Sequence, residues 1–247
     1  MNEQAPPDAV DPINSQLMES FHVIAKPAIL YLGTPVVLIT TENEDGTANI
    51  SPMSSAWWLG WGCMLGLLGS SKTTENMRRT GECVLNVPSI DAVAAVDRLA
   101  LTTGSNPVPR DKIEMGVKYV PDKFGHAQLT PVNSQTVTPP RIHECPVQLE
   151  AKVHAEHPYG VNNPRVRTEL VSFEVCIERI HVDQRILVND NPNRIDPEKW
   201  RPLIMSFREF YGLSDKVKHS RLSEFPEHYY HHPKFRAPED NEPQTGR

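Results

Sequence analysis

Residues 35–58 read PVVLITTENEDGTANISPMSSAWW. Pro35–Thr41 is apolar and β-branched, the composition of a buried strand. Glu42–Thr47 carries Asp45-Gly46, a pair that turns hairpins. Ala48–Ser51 resumes as a strand, so the stretch predicts an antiparallel hairpin. Pro52 has no amide hydrogen to give a neighbouring strand and demands an edge, a bulge or a strand end. Ser51, Ser54 and Ser55 then crowd the approach to Trp57 and Trp58. Two readings stay open for this bend: a serine turn exposing backbone amides at a sheet end, or a plain β-turn whose tryptophans are core or interface residues.

Working outward, Ser54–Leu59 and Cys63–Leu68 read as two more strands around Gly60–Gly62. Thr73–Thr80 reads as a short helix, with Gly81 at its C-terminal stop and Arg78 and Arg79 where the helix dipole favours cations. Glu82–Val87 is a strand stopped by Pro88. Ser89 is placed to cap a helix reaching about Leu101, with Val93, Val96 and Leu99 on one face. From 102 to 146 the periodicity is low, which predicts functional loops or crossovers rather than a second core. Val147–His154 and Leu170–His181 alternate as strands, and Arg185–Val188 reads as a short final one. Trp200–Tyr211 places Ile204, Phe207, Phe210 and Tyr211 at helical spacing and predicts a docking helix. Strands in consecutive runs with helices inserted singly define a mainly β chain, an antiparallel barrel or sandwich. The expected organisation is an N-terminal arm over 1–26, a barrel domain over 27–190, and a C-terminal extension over 191–247 lying on the core or on a partner chain.

Composition narrows the function. The 247 residues carry a net charge of −6, which disfavours nucleic acid and anionic membrane surfaces as partners. The longest apolar run, Ala56–Gly69, is short and broken by glycine, so no transmembrane helix is expected. The N-terminus has neither a basic start nor an apolar h-region, which predicts a cytoplasmic protein. Cys63, Cys83, Cys145 and Cys176 form no CxxC pair and read as reduced core thiols. No GxGxxG and no GxxxxGK[ST] occurs, so ordinary dinucleotide-binding and P-loop folds are disfavoured.

The second informative stretch is SSKTTENMRRTGECVLNV, residues 70–87. Ser70, Ser71, Lys72, Thr73 and Thr74 lie between a strand and a helix start. The first turn of a helix leaves amide hydrogens unpaired, with partial positive charge. Hydroxyls add donors and Lys72 adds a full charge, which together are the ingredients of a phosphate site. The competing reading is a capped helix with a solvated lysine. Lys72 and Thr73 are both expected near the surface.

The two clusters, in this order and spacing, closely resemble the flavin reductase-like family of FMN-binding split-barrel proteins, which includes flavoredoxins. The elements that carry the resemblance are Asn49, Ser51, Pro52 and Ser54, then Lys72, Thr73 or Thr74, and Asn76, then Val84–Asn86, with CPVQLEAKV (Cys145–Val153) as a later barrel strand. It extends roughly from Pro27 to Val188. It implies a six-stranded antiparallel FMN-binding split barrel, a homodimer, and FMN near the subunit interface. It implies that Asn49, Ser51, Pro52, Met53, Ser54, Ser55 and Trp57 line the flavin ring and ribityl chain. Ser70, Ser71, Lys72, Thr73, Thr74 and Asn76 would grip the phosphate.

The resemblance also implies hydride transfer from NADH or NADPH to the flavin and on to a small-molecule or redox-protein acceptor. No side-chain acid or base is required, so no catalytic residue is named. Many NAD(P)H-using members carry Gly-Asp-His after the strand matched by Val147–Val153, where this chain has AEHPYGVNNPRVR and His157 stands nearest. An FMN electron carrier without direct NAD(P)H activity and a non-catalytic flavin-binding protein are the alternatives. His143 and Arg141 follow Pro139-Pro140 in a loop that could approach a flavin. His228, His231 and His232 lack metal-ligand spacing, and no metal site is expected.

Overall fold

The computed structural model describes residues 22–189 and 191–225. Residues 22–30 belong to a separate unit and contain no helix or strand; the remaining described residues form one compact unit from Tyr31. Residues 1–21 of the arm expected over 1–26, and the histidines at 228, 231 and 232, lie outside the described residues.

Seven strands form one antiparallel sheet, one more than the resemblance implies: β2 (Val37–Glu42), β3 (Ala48–Met53), β4 (Ala56–Leu59), β5 (Gly62–Leu68), β6 (Glu82–Val87), β7 (Val147–Tyr159) and β8 (Leu170–Val182). A short β1 (Leu32–Pro35) precedes them in a different sheet. The seven run in the order β3-β2-β6-β7-β8-β5-β4, so the sheet ends on β3 and β4. Pro52 sits on terminal strand β3, opposite Leu38, where its missing amide hydrogen costs no ladder bond. Strands β7 and β8 pair over almost their whole length, with register shifts at Glu150/Ala151 and Val153/Ala155.

Strand β2 is buried on both faces, as its unbroken apolar run requires. Val37 and Ile39 join Leu65, Cys83, Leu85, Leu149, Phe173 and Val175 in the main core. Leu38 points the other way, into a second cluster with Ile50, Val96, Leu99, Phe124, Ile142 and Leu203. Residues 102–146 therefore contribute to a second core, contrary to the sequence expectation. Their elements are too short for periodicity to show: α3 (Arg110–Glu114) and α4 (Lys123–Ala127) span five residues each.

The two helices read from the sequence are α1 (Lys72–Thr80) and α2 (Val93–Leu99). Gly81 ends α1 at φ +69°, with its amide on Met77 O. Ser89 precedes a 3₁₀ turn over Ile90–Ala92 and gives it no side-chain cap; its hydroxyl meets Asp91 instead. Val93 is exposed, while Ala95, Val96 and Leu99 form the packed face.

The docking helix expected at Trp200–Tyr211 is a hairpin, β9 (Ile204–Ser206) and β10 (Glu209–Tyr211). Ile204, Phe210 and Tyr211 have strand-favouring side chains, and β1 supplies a partner for β9. Pairing overrides the helical spacing. Among the described residues no helix is long and apolar enough to cross a membrane.

Candidate functional site

Helix α1 buries Thr73, Thr74, Asn76 and Met77, a face that is polar except for the methionine. Such burial stands only if each group finds a partner. Asn49 Nδ2 donates to Thr73 Oγ1 at 3.2 Å. Asn76 Nδ2 donates to Thr41 Oγ1 at 3.0 Å and to Asn43 Oδ1 at 2.8 Å. Thr74 Oγ1 donates to Leu68 O at 2.8 Å. These bonds tie the helix to the β2–β3 hairpin and to the end of β5, and so set one serine cluster against the other.

Between the clusters lies a cavity of about 480 Å³. Ser51–Ser55 form one wall, and Gly66, Leu67, Leu68 and Ser71 form another. Gly66 N donates to Ser55 O at 2.8 Å. A Cβ on Gly66 would come within 3.3 Å of the Ser55 Cβ, so the close approach of β5 to the serine turn depends on glycine. Val96 and Ala100, Lys112 of α3, and Met205, Arg208 and Phe210 of the β9–β10 hairpin close the far side. Mostly apolar walls with a few convergent polar groups suit a flat organic ligand.

At the start of α1, Ser71 Oγ accepts from Thr74 N at 3.1 Å, and Ser71 O accepts from Glu75 N at 3.0 Å. The amides of Lys72 and Thr73 are then the orphans of the first turn. Lys72 Nζ pairs with Glu75 Oε1 at 2.7 Å. A smaller cavity of about 250 Å³ adjoins Lys72, lined also by Asn43, Asp45, Asn49, Gly104 and Tyr119. Asn49 Oδ1 is buried there without a hydrogen-bond partner among the described residues. A Cβ on Gly104 would lie 2.6 Å from that oxygen.

The structure thus brings Ser51, Pro52, Met53, Ser54, Ser55 and Ser71 to one cavity, with Asn49 and Lys72 at its smaller neighbour. Ser70 lies with Ser71, Arg78 and Arg79 in a shallow surface depression. Thr73 is 2% exposed, against the surface position expected for it. Thr73, Thr74 and Asn76 line none of these cavities; their side chains hold α1 in place. Trp57 points outward from terminal strand β4, 57% exposed, and Trp58 packs against the core. Arg141 is held by Asn133 O and Gln148 Oε1, and His143 is exposed; neither lines the large cavity. His157 lies on β7 beside Glu174.

Phe210 belongs to the segment expected from the sequence to dock on the core, whereas no sequence feature singled out Lys112 or Arg208 in the cavity wall. Lys123, equally unannounced, is 3% exposed and donates from Nζ to Ile50 O at 2.7 Å, directly before the Ser51 wall. Desolvation, with Lys112 nearby, lowers its pKa to about 8.

The residues fit a flavin nucleotide: apolar walls for a ring system and serine hydroxyls at its edge in the larger cavity, and at the start of α1 two free helix amides, with the Lys72 ammonium at the smaller cavity, for a phosphate.

Residues 30–214 match the model of the flavin reductase like domain, and the chain belongs to that family. Membership places it among flavin-linked oxidoreductases. A protein of Bacillus subtilis (strain 168), described as uncharacterized protein YdfE, is 40% identical over 199 residues, covering 81% of this chain and 93% of its own. The flavoredoxin of Desulfovibrio vulgaris (Miyazaki F) superposes with a TM-score of 0.65 at 21% identity, over 82% of this chain and 98% of its own. Nitrilotriacetate monooxygenase component B from Bacillus cereus gives 0.61 at 18% identity, over 89% and 98%. With the likeness to a protein with a split barrel domain from Shewanella frigidimarina NCIMB 400 (TM-score 0.59 at 17% identity, over 76% of this chain and 86% of its own), they show the split-barrel fold.

Proposed function

We propose that this chain is an FMN-dependent oxidoreductase that takes hydride from NAD(P)H and delivers electrons to a separate acceptor. The observation that carries the reading is the meeting of Ser51–Ser55 with Ser71, the cap of α1, at one apolar-walled cavity. When bound, FMN supplies a carrier that accepts hydride and releases electrons. The protein's part is to bind and orient. Lys72 and the free amides of Lys72 and Thr73 receive the phosphate. Ser51–Ser55 offer polar contacts at the ring edge, and Leu67, Leu68 and Val96 keep water from its faces.

A homodimer belongs to the same proposal. Terminal strand β4 presents Trp57 and Leu59, 57% and 66% exposed, on an unpaired sheet edge, an arrangement suited to a second copy. The four cysteines are free, which suits the reducing compartment expected from the sequence.

A second reading, an FMN electron carrier reduced by another protein, is favoured by the β7 segment. Where many NAD(P)H users carry Gly-Asp-His, this chain continues as strand, with His157 exposed beside Glu174 at 3.4 Å.

One visible spectrum divides the readings. Protein mixed with FMN and freed of excess should be yellow and should bleach anaerobically with NADH or NADPH. Yellow protein that does not bleach marks the carrier. Protein that retains no flavin overturns both.

A further inference from the structure

The far side of the 480 Å³ cavity carries charge that the protein itself does not use. Lys112, half-buried on α3, and Arg208, at the tip of the β9–β10 hairpin, both line it. Neither side chain makes a hydrogen bond or ion pair among the described residues, although the chain has 31 acidic residues to 25 basic ones. Some arginines are engaged, Arg78 by Glu156 and Glu169, Arg98 by Ala127 O and Arg185 by Asp183, while Arg165, Arg167, Arg194, Arg201 and Arg221 are as unpartnered as Arg208 among the described residues but do not line this cavity. Asp97 shares the rim and pairs with neither cation.

The backbone that holds Arg208 is strained. Phe207 and Arg208 have φ of +46° and +73°. A two-residue hairpin tip of this kind takes Asn-Gly at little cost, while ordinary side chains there lose about 1 kcal/mol or more each. Phe207 N donates to Tyr31 O at 2.8 Å, which fixes the tip against the chain before β1. Strain of this sort persists where surrounding contacts hold it, as also at Leu101, Gln128 and Asn189, and it clusters at binding sites. What the strained tip presents is a guanidinium beside the cavity.

We infer that Lys112 and Arg208 form an anion subsite at the outer edge of the cavity, selecting a planar second reactant that bears a carboxylate, sulfonate or phosphate. The assignment of that molecule as a reactant rests on the FMN reading; the anion preference does not. FMN's own phosphate is accounted for by the start of α1, which leaves these two cations for a second molecule. Charge-assisted bonds to both correspond to a preference of tenfold or more for the anion over a neutral isostere.

The test is equilibrium titration of cofactor-free and FMN-loaded protein with naphthalene-1-sulfonate and with neutral naphthalene-1-sulfonamide. The wild type should prefer the sulfonate at least tenfold, less so as salt is raised. A Lys112→Gln/Arg208→Gln variant should lose the preference while binding the sulfonamide and FMN within about twofold of wild type. A Phe207→Asn/Arg208→Gly variant, with the favoured turn pair, should melt higher and still lose most of the preference, which separates the subsite from damage to the fold. Competition by NADH points to a dinucleotide phosphate as the source of the anion, and competition by 2-naphthoate alone to a small aromatic acid; either supports the subsite.

Equal sulfonate affinity in wild type and variant overturns the inference, as does equal weakening of both probes. A tenfold loss of FMN affinity with riboflavin unaffected also overturns it, because the cations would then hold the cofactor. A wild type that prefers the sulfonate but takes up no FMN keeps the anion subsite and defeats the cofactor reading.

Discussion

Asn49 and Thr73 meet through a 3.2 Å hydrogen bond between their side chains, though 24 residues separate them. Through this bond the strand that leads into Ser51–Ser55 fixes the start of α1. If the bond registers one cluster against the other, Asn49→Ala and Thr73→Val should be non-additive. A double-mutant cycle in urea should give a coupling of about 1 kcal/mol. Each single variant should also weaken FMN binding several-fold by loosening the cavity. Strict additivity would mean the contact only fills space.

Lys72 tests the phosphate assignment more directly. Its ion pair is with Glu75, the two side chains 16% and 53% exposed, and an i,i+3 pair with one partner open to water contributes only about 0.5 kcal/mol. Lys72→Ala should therefore leave the melting temperature nearly unchanged while FMN affinity falls about tenfold. Riboflavin, which lacks the phosphate, should bind wild type and variant alike. Parallel losses for both flavins would remove Lys72 from the phosphate site.

Much of the barrel was legible because its strands are long or strongly apolar. The hairpin at residues 37–53, the edge position of Pro52 and the Gly81 stop follow from local chemistry that tertiary structure had no reason to override. The serine clusters were legible as donors, but not which donors stay free. Thr73 and Thr74 look like ligand groups in the sequence, and the fold spends them on Asn49 and Leu68 O. The cavity's far side was hidden for a different reason. Lys112 lies on a five-residue helix with no periodicity to read, and Arg208 occupies a turn whose residues contradict its backbone. Trp200–Tyr211 has helical spacing and becomes a hairpin because β1, far away in sequence, is there to pair.

Glu150 predicts acid sensitivity. Its carboxylate is fully buried and accepts from Gln135 N, Thr136 N, Thr136 Oγ1 and His181 Nε2, the last at 2.7 Å. Burial alone would raise its pKa, but the Thr136, Gln135 and His181 bonds outweigh it and hold the group below the ordinary carboxylate range. The stabilisation is thus full above that range and is lost as pH falls through it. Glu150→Gln places an amide among donors and should cost about 3 kcal/mol at pH 7. Urea midpoints of wild type and variant should converge as pH drops from 6 toward 3. A constant gap would show that packing, not charge, makes the difference.

Lys123 predicts a slope of the same sign in a separate, alkaline window. It is buried, bonded to Ile50 O, and has no acidic partner in its ion-pair range among the described residues. Desolvation lowers its pKa from 10.5 to about 8. In the window between those values the unfolded chain keeps a proton that the folded chain has released. Stability therefore rises with pH across the window, by at most about 3 kcal/mol in total. Below about pH 8 both states are protonated and the full cost of burying the ammonium remains. Lys123→Met removes the titrating group, so the difference in unfolding free energy between wild type and variant should shift toward the wild type between pH 8 and 10. Parallel pH profiles would mean that the ammonium is solvated in the folded protein and exerts no pull on the Ser51 wall.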